Sequence, residues 1–138
     1  MANITDGNRF EAEFCRKLGD AGFWVHRLSQ NRGGQQPADV IAMKDGWAWL
    51  IDCKVCKDGR FRLDRMEDNQ RNAMNKWLEC KGTPPKFALK DGRTGEIWML
   101  DYEWALAKEE GGMSSVPCVN HYSFIVSLEE WIEWVTQS

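Results

Sequence analysis

Four segments of the sequence carry helical periodicity or capping signals. In the first, Phe10, Phe14 and Leu18 recur at a spacing of four residues, and Asp6 is placed to act as N-cap. The second has Asp64 as its expected cap, and the last opens on a Ser-x-x-Glu capping box. The predicted helices cover residues 6–21, 66–80, 101–110 and 127 onwards.

Short runs of apolar, β-branched and aromatic residues between these helices predict strands. The predicted strands cover residues 23–28, 38–43, 47–54, 60–63, 86–90, 96–100 and 121–126. Asp45-Gly46 is a typical two-residue hairpin turn and joins the second strand to the third. The order of elements predicts one α/β domain over residues 1–138, with a mixed central β-sheet flanked by helices.

The predicted hairpin brings acidic residues together. Side chains alternate along a strand, so Asp52 and Lys54 lie on the same face. A two-residue turn at Asp45-Gly46 places Asp39, near the start of one strand, opposite Asp52, near the end of the other. The pattern therefore predicts two carboxylates and an ammonium at one end of the hairpin.

Two neighbouring carboxylates repel each other unless a cation neutralises them. Mg²⁺ prefers oxygen ligands and is held by one or two carboxylates together with phosphate oxygens, and Glu11 of the first helix could supply a third acid. Lys54 could then stabilise charge on a reacting phosphate or orient the attacking water. This set favours phosphodiester hydrolysis. The alternative is structural: Asp39 as a strand-end cap, and Asp52 with Lys54 as an exposed ion pair.

Charge is divided unevenly along the chain. The whole protein has a net charge of -3, yet residues 54–93 hold eleven Lys and Arg against six acids, and residues 94–138 hold one Lys against eight acids. One side of the fold could therefore face an anionic polymer, or these could be solvated surface charges. The residues we expect to contact DNA phosphates are Arg27, Arg32, Lys57, Arg60, Arg62 and Arg65.

The cysteine count and the absence of targeting or membrane segments predict the cellular location. It has an odd number of cysteines, five, and no apolar stretch of transmembrane length. Its N-terminus does not read as a secretion signal. We therefore expect free thiols, no membrane association, and a place in the cytoplasm of a bacterium or of a phage-infected host.

Pro37-Ala38-Asp39, a turn, and an apolar strand ending in Asp52-Cys53-Lys54 resemble the signature of the PD-(D/E)XK nuclease superfamily. Within it, the chain is similar to the Holliday-junction resolvases of the archaeal type and of the RecU-like bacterial and phage type. Gly7 with Glu11 resembles the opening helix of the archaeal group, and residues 69–74 resemble the helix that the RecU-like group enters with a glutamine.

The resemblance implies a restriction-endonuclease-like core and a role for each matching residue. It implies that Asp39, Asp52 and Glu11 bind metal and that Lys54 is catalytic. By the same resemblance, Gln70 would lie on the helix beside the site and belong to the catalytic residues. Ser29 would correspond to a polar residue near the metal, and we expect it to contact DNA. The expected cofactor is Mg²⁺, with Mn²⁺ as a substitute.

The predicted function is endonucleolytic cleavage of branched DNA, as a Holliday-junction resolvase in recombination or phage DNA processing. Because a four-way junction has two-fold symmetry and needs two matched cuts, a homodimer is expected. Two alternatives remain open. One is another PD-(D/E)XK endonuclease, of replication or restriction type, and the other is a non-catalytic DNA-binding protein on the same scaffold.

Overall fold

The computed structural model describes residues 2–28 and 36–137 of the chain. Its helices are α1 (Ala2–Asp20), α2 (Asp68–Glu79), α3 (Tyr102–Glu110) and α4 (Leu128–Gln137). A 3₁₀ turn, Leu63–Arg65, precedes α2. The strands are β1 (Trp24–Arg27), β2 (Val40–Lys44), β3 (Trp47–Cys56), β4 (Arg60–Arg62), β5 (Lys86–Asp91), β6 (Ile97–Asp101), β7 (Ser115–Pro117) and β8 (Ile125–Ser127).

Six of these strands form one mixed sheet in the order β1-β2-β3-β5-β6-β8. Neighbouring strands are antiparallel except for β3 and β5, which pair in parallel. β4 and β7 form a separate two-stranded antiparallel sheet. The predicted fold class, a mixed central sheet flanked by helices, is confirmed.

The sheet separates two hydrophobic cores. On one face, α1 packs Phe10, Phe14 and Leu18 against the sheet, and α4 adds Trp131. The other face is covered by α2, α3 and the small β4–β7 sheet, which contribute Met74, Tyr102, Phe61 and Val116 among others. Alternation along β3 assigns Trp49 and Ile51 to the first face and Leu50 to the second.

The β2–β3 hairpin follows the predicted register. Lys44 pairs with Trp47 across a turn in which Asp45 and Gly46 have φ values of 52° and 85°, the left-handed conformation that a type I′ turn requires. At the other end Val40 pairs with Ile51, and continuing the register by one residue places Asp39 opposite Asp52.

Both predicted caps of the first two helices are wrong. Helix α1 begins at Ala2, so Asp6 lies inside it, because no Gly or Pro interrupts the preceding residues. Helix α2 begins at Asp68 with Glu67 as its N-cap. The backbone N–H of Glu67 donates to Gln70 Oε1 at 3.1 Å, while Asp64 belongs to the 3₁₀ turn.

The strand predictions need two further corrections. Strand β7 was not predicted, because a three-residue segment is too short to show a period. Strand β8 begins at Ile125 rather than at His121, which makes only an isolated bridge to Ile125. The capping box of α4 is supported: Ser127 Oγ accepts a hydrogen bond from the N–H of Glu130 at 3.1 Å.

Candidate active site

A cleft of about 540 Å³ opens at the end of β3, between the first half of α1 and the N-terminus of α2. Four of the residues predicted to be catalytic line it: Glu11, Asp39, Lys54 and Gln70. Asp52 does not reach the cleft surface, and only 1% of the residue is exposed. The structure therefore collects the predicted residues at one place, with Asp52 behind the others.

Asp52 and Lys54 form an ion pair, with 3.3 Å between Lys54 Nζ and Asp52 Oδ2. That oxygen is buried and has no hydrogen-bond partner among the described residues. Burial raises the pKa of Asp52 well above its usual value, the negative charge of Asp39 raises it further, and Lys54 only partly opposes them. The site thus holds a negative charge that the protein alone does not fully compensate.

Asp39 has a hydrogen-bond donor on each carboxylate oxygen. The backbone N–H of Cys53, the residue between Asp52 and Lys54, donates to Oδ2 at 2.8 Å. The side-chain amide of Gln36 donates to Oδ1 at 2.6 Å. Asn69 of α2 in turn donates its Nδ2 to the backbone oxygen of Gln36 at 2.5 Å. Gln36 and Asn69 were not predicted as site residues.

Glu11 is held by an arginine that was predicted to contact DNA. Arg27 Nη2 donates to Glu11 Oε1 at 3.1 Å. Burial is the main cause that raises the pKa of Glu11, the charge of Asp39 adds to it, and Arg27 counteracts both. The guanidinium of Arg27 therefore pairs with the third acid of the predicted metal set without fully offsetting the effects of burial and of Asp39.

Gln70 contributes to the cleft wall mainly through a local structural role. Its Nε2 donates to Glu67 Oε1 at 3.2 Å, and its Oε1 accepts from the backbone N–H of Glu67. Both ends of the amide are therefore engaged in the capping box of α2.

The chemistry of the donor set fits a divalent cation. Within residues 2–28 and 36–137, no group of three or more His, Cys, Asp or Glu side chains is arranged to hold a metal ion. Asp39 and Asp52 nevertheless offer hard carboxylate oxygens, and the Oδ2 of Asp52, which has an ion-pair partner but no hydrogen-bond donor, is the kind of atom that a cation would satisfy. These two residues, with Glu11 once it leaves Arg27, could hold Mg²⁺ or Mn²⁺.

One wall of the cleft is basic. Four of the residues predicted to contact DNA line it: Lys57, Arg60, Arg62 and Arg65. Arg60 bonds to Ser115 Oγ at 2.9 Å, and Arg62 pairs with Asp58 at 3.1 Å with both side chains largely exposed. Exposed pairs of this kind are weak and can be exchanged for a phosphate. Ser29 and Arg32 lie outside the described residues.

The fold and the site together define the class of protein. A mixed sheet with a hairpin that ends in Asp39 and in Asp52-Cys53-Lys54, beside a basic cleft, is the arrangement of the PD-(D/E)XK nuclease superfamily. A family model described as archaeal Holliday junction resolvase (Hjc) matches residues 2–135. The chain belongs to this family, and the predicted relationship is confirmed.

A solved structure supports the same fold. The chain is similar to Hjc from Archaeoglobus fulgidus, a Holliday junction resolvase from an archaeal hyperthermophile, with 16% identity and a TM-score of 0.55. The match covers 88% of this chain and 86% of that one. A search of the curated proteins found no match. In the described part of the chain, no helix is long and apolar enough to cross a membrane.

Proposed function

We propose that the protein is a divalent-metal-dependent endodeoxyribonuclease that resolves four-way DNA junctions, with Mg²⁺ as its ion and Mn²⁺ as a substitute. The observation that carries the proposal is a basic cleft lined by Asp39 and Lys54, with Asp52 buried behind them and ion-paired to Lys54, in a chain of the archaeal Holliday junction resolvase family. The expected product is a pair of nicked duplexes, formed by hydrolysis of one phosphodiester bond in each of two strands.

Each group at the site has a definable task. A divalent cation, when bound, polarises the scissile phosphate and lowers the pKa of a coordinated water. Asp39 and Asp52 would hold that cation, whose charge would offset the burial and the repulsion from Asp39 that raise the pKa of Asp52. Lys54 lines the cleft, and its ammonium stabilises negative charge on the phosphate in the transition state.

The basic wall is suited to the DNA backbone. Lys57, Arg60, Arg62 and Arg65 place positive charge beside the acidic residues, so a phosphate bound to the wall would lie near the metal ligands. Such contacts carry no sequence information and make affinity fall with salt. We infer that the shape of the junction, rather than base sequence, provides most of the selectivity.

A homodimer is the assembly that the substrate requires. The junction has two equivalent strands to cut, and two copies of the site related by a two-fold axis match them. Two sites in one complex also allow both cuts to be made before the junction is released. The proposed place of action is the cytoplasm of a prokaryotic or phage-infected cell, where such junctions arise.

The decisive experiment compares labelled four-way junction, flap and plain duplex in Mg²⁺. We expect the wild-type protein to cut the junction preferentially, the Asp52→Asn variant to bind it without cutting, and the Lys54→Ala variant to bind it while cutting about 10²–10³-fold more slowly. Equal cutting of all three DNAs would indicate a PD-(D/E)XK endonuclease of another type. Junction binding without cleavage by the wild type, in Mg²⁺ and in Mn²⁺, would indicate a non-catalytic DNA-binding protein.

A further inference from the structure

Three hydrogen bonds link helix α2 to strand β3 across the acidic end of the cleft. Asn69 Nδ2 donates to the backbone oxygen of Gln36 at 2.5 Å, and Gln36 Nε2 donates to Asp39 Oδ1 at 2.6 Å. The N–H of Cys53 completes the series by donating to Asp39 Oδ2 at 2.8 Å. Each oxygen of the Asp39 carboxylate therefore accepts one hydrogen bond.

The two hydrogen bonds to the Asp39 carboxylate have donors of different kinds, one in the sheet and one outside it. Cys53 belongs to the central strand β3, which pairs with β2 on one side and β5 on the other, so its N–H is fixed by the sheet. Asp39 precedes β2, and its backbone is also held at the sheet: its N–H donates to the oxygen of Ile51 at 3.2 Å, and its oxygen accepts from the N–H of Leu28 at 2.8 Å. The second donor, the amide of Gln36, is a side chain from outside the sheet, so it is the contact through which a neighbouring residue can set the rotation of the Asp39 carboxylate.

The orientation of the Gln36 amide follows from its partner. A carboxylate can only accept, so the Gln36 nitrogen must face Asp39 and its oxygen must face away. That oxygen, Oε1, is buried and has no hydrogen-bond partner among the residues that the structure describes. A buried acceptor without a donor is uncommon and calls for a functional explanation. Gln36 thus keeps its amide nitrogen on Asp39 although its own oxygen has no donor, as expected of a side chain whose task is to orient that carboxylate.

Asn69 keeps Gln36 at this place. It lies in the first turn of α2 and lines the same cleft as Gln36 and Asp39. The neighbouring residue Gln70, which was predicted to be catalytic, uses both the nitrogen and the oxygen of its amide in the capping box. The side chain of α2 that reaches the acidic end of the cleft is thus that of Asn69.

We propose that Gln36 is a positioning residue for the divalent cation: its amide nitrogen fixes the Asp39 carboxylate, and Asn69 holds Gln36 in place. The proposal rests on the proposed metal-dependent function. Partners that orient metal ligands typically change metal affinity by 10- to 100-fold when they are removed.

The test measures metal binding apart from catalysis. Gln36→Met keeps the length of the side chain and removes both polar atoms, Asn69→Ala removes the tether, and Asn72→Ala on the exposed side of α2 is the control. Mn²⁺ affinity is measured by calorimetry on the full-length protein without DNA. Junction affinity in EDTA and the thermal midpoint are recorded for each variant.

We expect Gln36→Met to weaken Mn²⁺ binding by about 10-fold or more, and Asn69→Ala to do so by a smaller factor. The double variant should resemble Gln36→Met alone, because both changes act on one contact. Asn72→Ala should equal wild type. Junction affinity in EDTA should not change, and cleavage by Gln36→Met should need more metal yet reach the wild-type rate at saturation.

The outcomes separate this inference from the proposed function. If Gln36→Met binds Mn²⁺ as tightly as wild type, or if its cleavage stays low at every metal concentration, the positioning role is refuted while the nuclease assignment stands. If the variant does not fold, the same comparison is made with Asn69→Ala, whose unchanged Mn²⁺ affinity would equally refute it. If the wild type neither binds Mn²⁺ nor cuts the junction, both proposals fail.

Discussion

Replacing Asp52 with Asn should abolish cleavage and yet make the metal-free protein more stable at neutral pH. The side chain is 2% exposed, and its Oδ2 lies 3.3 Å from Lys54 Nζ. At an effective dielectric constant of about 20, that separation corresponds to a gross attraction of about 5 kcal/mol. Desolvation of each buried ion opposes this by several kcal/mol. The raised pKa of Asp52, with burial as its largest cause, shows that desolvation prevails.

The sign of the pH dependence follows from that direction. A carboxyl whose folded-state pKa exceeds its unfolded value of 3.8 binds more protons in the folded protein, so stability falls as pH rises above that value. The asparagine variant has no such loss. Lys54 lines the cleft and 13% of its side chain is exposed, so its ammonium keeps a path to solvent when the carboxylate is removed. We expect Asp52→Asn to raise the free energy of unfolding at pH 7 by about 1.4 kcal/mol for every unit that separates the folded and unfolded pKa of Asp52.

Urea denaturation at several pH values, in EDTA, is the assay. The gain should vanish near pH 3, where Asp52 is protonated in both states. Mg²⁺ should reverse the order, because a ligand at 100 times its Kd adds about 2.7 kcal/mol to the wild type and less to the variant. A variant that is less stable than wild type by about 2 kcal/mol or more in EDTA would refute the reasoning, since the ion pair would then be net stabilising.

Asp91 provides the matched control. It is also buried, but it accepts hydrogen bonds from the backbone N–H, Nε and Nη2 of Arg93, which lower its pKa. A lowered pKa contributes stability above the unfolded value that is lost as pH falls through the folded one. Asp91→Asn should therefore destabilise the protein at pH 7, the opposite of Asp52→Asn, and the two variants should converge towards wild type in acid.

Three further predictions concern catalysis, DNA binding and folding. Lys54→Ala should reduce single-turnover junction cleavage by about 10²–10³-fold, the usual loss for a group that stabilises transition-state charge, while a gel-shift assay shows junction binding preserved. Lys57→Ala should lower the slope of log affinity against log salt by about 1, whereas Lys76→Ala, whose side chain pairs with Glu79 outside the cleft, should leave it unchanged. Ser127→Ala should cost about 1 kcal/mol of unfolding free energy in urea, because the cap of α4 is lost; an unchanged value would show that Ser127 Oγ does not stabilise that helix.

The hairpin explains how much of the site was predictable from sequence. Side chains alternate between the two faces of a strand, so two strands with a buried face and a two-residue turn can pair in only one register. The position of Asp39 opposite Asp52 therefore follows from the Asp45-Gly46 turn. The shared face of Asp52 and Lys54 follows from the same alternation. Local rules were sufficient here because Asp39, the turn, Asp52 and Lys54 all lie in one hairpin of fewer than twenty residues.

The parts that were missed depend on contacts between distant segments. Gln36 and Asn69 are separated by more than thirty residues and have no distinguishing spacing, so only the packing of α2 reveals their hydrogen bond. The seclusion of Asp52 behind the cleft wall likewise depends on how α2 covers that face of the sheet. Whether the predicted residues perform their assigned roles stays a prediction until the variants are measured.

The parallel pairing of β3 and β5 has a consequence for how such an enzyme could change its target. Between Cys56 and Lys86 the chain makes a single excursion that supplies β4 and α2, and with them the basic wall and the Asn69 tether. Both ends of this excursion are clamped by adjacent strands of the sheet. If the proposed roles hold, a longer or differently charged excursion would alter which DNA geometry the wall accepts, while the candidate catalytic groups at the end of β3 would keep their positions.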